Sequence, residues 1–250
     1  MGEMTKNNGG FLFTAQWETP GSLSLEPLLQ GLEALKKGGE VVHILEGEGG
    51  LSPLVAAAKA RKMGLKPVVH VQCRDRNRRA LFSDLATLAA LGVKEVVIST
   101  GGHSPQLAPA KPVYDLDVIQ ILQMMQDMGR GRDLAGRPLA GSFSVSPGVV
   151  VNLRGEPELE KLSLRKKMDM GAAFALLTPS TRLEEIEAVA SWVSLPTIAS
   201  VKLEEANSQE IVAMARPLMN GGVRGLNLIV GSGQEGRGAE VLAQMRRSLS

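Results

Sequence analysis

The chain has one cysteine, Cys73, in 250 residues. No internal disulfide can form, and a reducing compartment is expected. Three histidines are scattered along the chain and make no cluster with metal-ligand spacing, so no metal site is expected. No apolar run approaches the roughly 20 residues of a membrane span. The opening "MGEMTKNNGG" is polar and glycine-rich, unlike a signal peptide. A cytoplasmic location without a membrane partner is the expectation. Net charge is only +2, and no long basic block points to nucleic acid as a partner. No linker or low-complexity stretch follows the first ten residues. A flexible segment over 1–10 and one domain over 11–250 are therefore expected.

What is present is a regular alternation. Hydrophobic residues make up 44% of the chain and charged residues 22%, enough for a sizeable core without disulfides or metals. Strand-like segments fall at 11–17, 40–47, 67–74, 95–100, 141–151, 174–178, 196–202 and 225–230, each β-branched or apolar and bounded by Gly, Pro or charges. Between them run segments with apolar residues at i, i+3 and i+4, several closing on glycine (Gly129 and Gly221 among them) as a left-handed helix cap would. Near-continuous hydrophobic strands suit a parallel sheet covered on both faces. An open doubly wound sheet and a closed barrel both fit. Eight βα units and no second domain favour an α/β fold of the (β/α)8 TIM-barrel class.

In such a barrel the active site lies at the C-terminal ends of the strands. On the first strand, Gln16 and Glu18 are two apart and share a face. The third ends in "HVQCRDRNRR", where His70 and Gln72 share a face and Arg74 offers planar donors for phosphate or carboxylate. The same stretch also reads as a loop feeding a helix, with Asp75 or Asn77 as its N-cap. The fourth ends in "STGGHSPQ", whose glycines let backbone N–H groups approach a ligand, or simply make a turn. "VGSGQEGRG", after the last strand, stands where barrels often bind phosphate. Lys166 and Lys167 fit a helix's last turn, complementing its dipole.

The segments "HVQCRDRNRRALFSDLATLAALGVKEVVISTGGH", "AKPVYDLDVIQIL" and "KKMDMGAAFALLT" occur in that order. Together they resemble the methylenetetrahydrofolate reductase superfamily in its short single-domain form, over about residues 11 to 230. The resemblance implies a barrel oxidoreductase of one-carbon metabolism, with FAD or FMN as cofactor and a tetrahydrofolate derivative as substrate. It places flavin contacts at His70, Tyr114 and Lys167, with Glu160 matching the family's acidic position. Arg74 and Asn77 fall in the same family-like segment and are taken as cofactor-side candidates.

The catalytic positions depart from the family. Its proton-donating glutamate falls at Gln16, and its pterin-holding aspartate falls at Gly102, after Gly101. A flavin-contacting arginine becomes Thr100, and a substrate-contacting glutamine becomes Thr178. A neutral amide cannot supply the proton that a carboxylic acid can. Glu18, brought in by a register shift or a strand bulge, is the acid available to replace it. A non-catalytic or accessory pterin-binding subunit and a methyltetrahydrofolate-dependent methyltransferase are the alternative readings. A homo-oligomer or a redox partner subunit would be further partners.

Overall fold

The computed structural model describes residues 2–5, 10–102, 111–192 and 194–249. Eight strands and eight helices alternate strictly. The strands are β1 (Leu12–Glu18), β2 (Val41–Leu45), β3 (Lys66–Gln72), β4 (Glu95–Ser99), β5 (Ser146–Val151), β6 (Phe174–Leu177), β7 (Thr197–Lys202) and β8 (Gly225–Val230). The helices are α1 (Glu26–Lys36), α2 (Pro53–Lys62), α3 (Arg78–Ala90), α4 (Val118–Gly129), α5 (Pro157–Asp169), α6 (Leu183–Ala190), α7 (Ser208–Asn220) and α8 (Glu235–Leu249). Each strand pairs in parallel with the next, and β8 pairs with β1. The expected TIM barrel is the observed fold.

Local chemistry sets the helix starts. Asp117 and Gln120 form a reciprocal capping box at α4, and Asn207 and Glu210 form another at α7. Pro53 and Pro157 occupy first turns, where no N–H is required. Two boundaries differ from expectation. β5 begins at Ser146 rather than 141, because Glu95 to Ser146 is its first pair with β4 and residues before it face no strand. The left-handed glycines after α4 and α7 are Gly131 and Gly222, not Gly129 and Gly221.

Alternation along the strands splits the apolar residues into two sets. Phe13, Ala15 and Trp17 of β1 point outward and join the shell that packs against the helices. Val41, Val68, Val97, Phe174, Leu176 and Ile198 point into the lumen and fill its lower part. Met4, within the segment expected to be flexible, is fully buried in that luminal layer. Its backbone N–H donates to Glu95 Oε1 at 2.8 Å, and Thr5 N–H donates to the same oxygen at 3.2 Å. Among the described residues no helix is long and apolar enough to cross a membrane.

Candidate functional site

Above the apolar layer the lumen turns polar and opens at the C-terminal end of the strands. A cleft of about 580 Å³ lies there, within the usual range for small-molecule sites. Its walls mix Leu45, Ile98, Val150, Leu176 and Ile229 with a few convergent polar groups. A second compartment of about 490 Å³ adjoins it, sharing Gln16 and Ile229.

The structure brings Gln16, His70, Thr100, Gly101, Gly102, Glu160, Lys167 and Thr178 to the one cleft. Gly101 adopts φ +92°, a conformation open to glycine, and a Cβ there would stand 3.1 Å from the Gln72 side chain. Among the described residues nothing lies within 4 Å of a Cβ built on Gly102. Lys167 Nζ donates to Val150 O at 3.1 Å. Its partial burial lowers the ammonium pKa, while Glu160 pulls it back upward. Glu160 Oε2 accepts from Asn152 N–H at 3.2 Å, and Thr178 Oγ1 accepts from Leu153 N–H at 2.9 Å.

Other expected residues take different places. Asn77 is the N-cap of α3, its Oδ1 accepting from Ala80 N–H at 2.9 Å. Tyr114 is 63% exposed with φ +47° and does not line the cleft. Arg74 is buried and turns its Nη1 onto Gly102 O at 2.9 Å, while its carbonyl accepts from Val113 and Tyr114 N–H groups. It ties the loop after β4 to the segment before α4. The neighbouring arginines are also engaged by the protein: Arg76 pairs with Glu46 and Asp84, and Arg78 with Asp115. Arg74, Arg76 and Arg78 thus hold the loops and the start of α3. His103, in the glycine loop after β4, lies outside the described residues.

Glu18 lines only the second compartment, with Thr19, Glu48, Lys202 and Glu204. β1 is regular through Glu18, which pairs with Leu45, so no bulge swings it toward His70. Its side chain is partly open at the rim. The burial it has raises its carboxyl pKa, and the Glu48 charge adds to that. The glycine loop after β8 carries its own anion: Glu235 Oε1 accepts from Gly233 N–H at 3.2 Å and from Trp17 Nε1–H at 2.9 Å. The described residues contain no group of three or more His, Cys, Asp or Glu able to hold a metal ion.

Polar lumen residues beneath the cleft complete the site. Asn227 is fully buried; its Oδ1 accepts from Thr14 Oγ1 at 2.9 Å, and its Nδ2 donates to Gln16 Oε1 at 2.8 Å and Ser200 Oγ at 3.3 Å. His43 Nδ1 lies 3.0 Å from His70 Nε2. The signal for Asn227 and His43 is in the sequence: one polar side chain inside "GLNLIV" and one inside "VVHIL", each on its strand's luminal parity.

No protein-family model matches the chain, and no curated protein matches it. Solved structures do. The ligand-free tryptophan synthase of M. tuberculosis superposes with a TM-score of 0.62 at 14% identity, over 99% of this chain and 96% of that one. Orotidine 5'-phosphate decarboxylase from Pyrococcus horikoshii gives 0.57 at 11% identity, over 92% and 99%. N-(5'-phosphoribosyl)anthranilate isomerase from Pyrococcus furiosus gives 0.54 at 14% identity, over 95% and 99%. The shared property is the fold. This chain is a TIM barrel.

Proposed function

We propose that this barrel binds a folate-type ring in its upper cleft, as a divergent protein of the methylenetetrahydrofolate reductase type. The supporting observation is the convergence of Gln16, His70, Gly101, Gly102, Glu160, Lys167 and Thr178, distant in sequence, on one cleft with apolar walls. A flat heterocycle needs such walls plus a few fixed polar groups. The cleft's donor set also fits FAD or FMN. His70, the open backbone at Gly101–Gly102 and the Lys167 ammonium would hold it, and a bound flavin supplies hydride transfer. Arg74 and Asn77 serve the loops instead.

Proton donation is where the divergence lies. Gln16 occupies the donor position, and Asn227 fixes its amide through Oε1. Its Nε2 is left to donate to a ligand acceptor. Glu18 opens on the adjoining compartment, so it serves as acid only toward a ligand that extends past Gln16. The Asn227 contact favours, as second reading, an accessory pterin-binding subunit without reduction.

The purified protein is expected to carry flavin absorbance, or to take up FMN or FAD on titration, and Lys167→Met is expected to weaken that uptake about tenfold. A colourless protein that takes up neither removes the flavin from the proposal. Calorimetry with 5-methyltetrahydrofolate tests the ring itself, and no heat at millimolar ligand removes the folate. Where reduction of methylenetetrahydrofolate is measurable, Glu18→Gln is expected to lower kcat about 100-fold or more, the scale of general-acid loss. Gln16→Ala is expected to act mainly on KM. The reverse ranking rejects Glu18 as the acid.

A further inference from the structure

His43 is fully buried on β2 and does not line the cleft, whereas His70 on β3 does. The rings meet edge to face with centroids 5.3 Å apart. Burial drives both rings toward the neutral form, and His43 adds to the effect on His70. Two neutral imidazoles joined Nδ1 to Nε2 share one proton on that line.

That proton has two placements. If His70 Nε2–H donates, His43 carries its own hydrogen on Nε2. That nitrogen is sealed from solvent and has no hydrogen-bond partner among the described residues. Either stranded atom is desolvated, but among buried backbone groups an unpaired N–H is rarer than an unpaired acceptor, and the ring is assigned on the same asymmetry. If His43 Nδ1–H donates, the stranded atom is a bare lone pair instead. His70 then carries its hydrogen on Nδ1, the nitrogen that His43 does not use.

We infer that His43 is a positioning residue that locks His70 as the Nδ1–H tautomer, so that the cleft presents a fixed N–H donor and selects a ligand acceptor atom. A carbonyl oxygen or an unprotonated ring nitrogen satisfies it; a ligand N–H at that point meets a like donor and is rejected. Gln16 Nε2 belongs to the same surface, since Gln16 and His43 are register partners on β1 and β2. The cleft floor is then a pair of donors matched to an acceptor-rich edge of a heterocycle. The identity of that edge rests on the ring-binding proposal above; the tautomer does not.

The chain contains three histidines, so ¹⁵N-histidine labelling of the ligand-free protein gives few ring signals. Long-range ¹H–¹⁵N correlations at pH 7 are expected to show His43 and His70 both protonated at Nδ1. Protonation of His70 at Nε2 overturns the inference, whatever the protein binds. FMN titration of two variants supplies the second arm. Asn can place an amide N–H where His43 has Nδ1–H, and Leu cannot. His43→Leu is expected to weaken FMN binding about tenfold, with His43→Asn close to wild type. Equal loss in both variants shows that packing, not the donated proton, is what matters, and overturns the role. If His43→Leu does not fold, the tautomer in the wild type still decides. An Nδ1–H His70 in a protein that binds neither FMN nor 5-methyltetrahydrofolate keeps the dyad and removes the ring-binding proposal.

Discussion

Replacing Asn227 with leucine is expected to lower stability by about 3–5 kcal/mol, from roughly 1–3 kcal/mol for each buried polar group left without a partner. Asn227 is the hub of the lumen network, with Thr14, Gln16 and Ser200 all bonded to its one amide. Thr14 and Asn227 are fully buried, so the Thr14 hydroxyl in particular loses a partner in a dry setting, whereas Gln16 and Ser200 border the cleft. Urea unfolding with an unchanged m-value measures the loss. A drop under about 1 kcal/mol would show that the network relaxes without Asn227. Asn227→Asp separates stability from orientation. A carboxylate still accepts from Thr14 but gives Gln16 nothing to accept, so the Gln16 amide must flip. The cleft would then meet its ligand with Oε1 in place of Nε2, and acceptor-bearing ligands should bind less well even where the fold survives.

The second large effect is acid lability. His43 titrates at 6.5 in an open chain, and burial pushes it down to about 3 in the fold. Between those values the unfolded state binds a proton that the folded state refuses. Stability is therefore full above about pH 6.5 and is lost progressively as pH falls toward 3. Going from pH 7 to pH 4 is expected to cost on the order of 3 kcal/mol through this ring alone, at about 1.4 kcal/mol per pKa unit. Glu95 works the other way: burial, the largest influence on it, raises its carboxyl, so acid favours its folded form. The comparison that isolates the ring is the pH slope of wild type against His43→Asn, which has nothing to titrate there. Parallel slopes in denaturant titrations at pH 7, 5.5 and 4 would reject the assignment.

The barrel was legible because its signals are local and repeated: apolar strands, 3.6-period helices and capping residues, eight times over. The cleft was legible in part, because strand ends mark it whatever the side chains do. The arginine run misled for a physical reason. Asp115 and Glu46 reach Arg78 and Arg76 from other loops and Asp84 reaches Arg76 from within α3, and the spacing of the run itself carries no trace of that pairing. A guanidinium held by its own protein and one awaiting a phosphate look alike in sequence. Asn77 was ambiguous in the same way, and its cap to Ala80 N–H resolves it. His43 and Asn227 lie in strand interiors, away from the strand ends where a barrel's site residues are expected. A polar side chain on the luminal face of an apolar strand must be bonded to something in the barrel, and here that parity marks the floor of the site.

Met4 and the apolar layer around it cork the barrel at its lower end. Among the described residues, a molecule in the cleft therefore meets a closed floor and leaves through the mouth at the strands' C-terminal ends. Any product formed there must leave before the next substrate arrives. If the cleft turns a substrate over, product and substrate share that threshold, and departure of product becomes a candidate for the slow step.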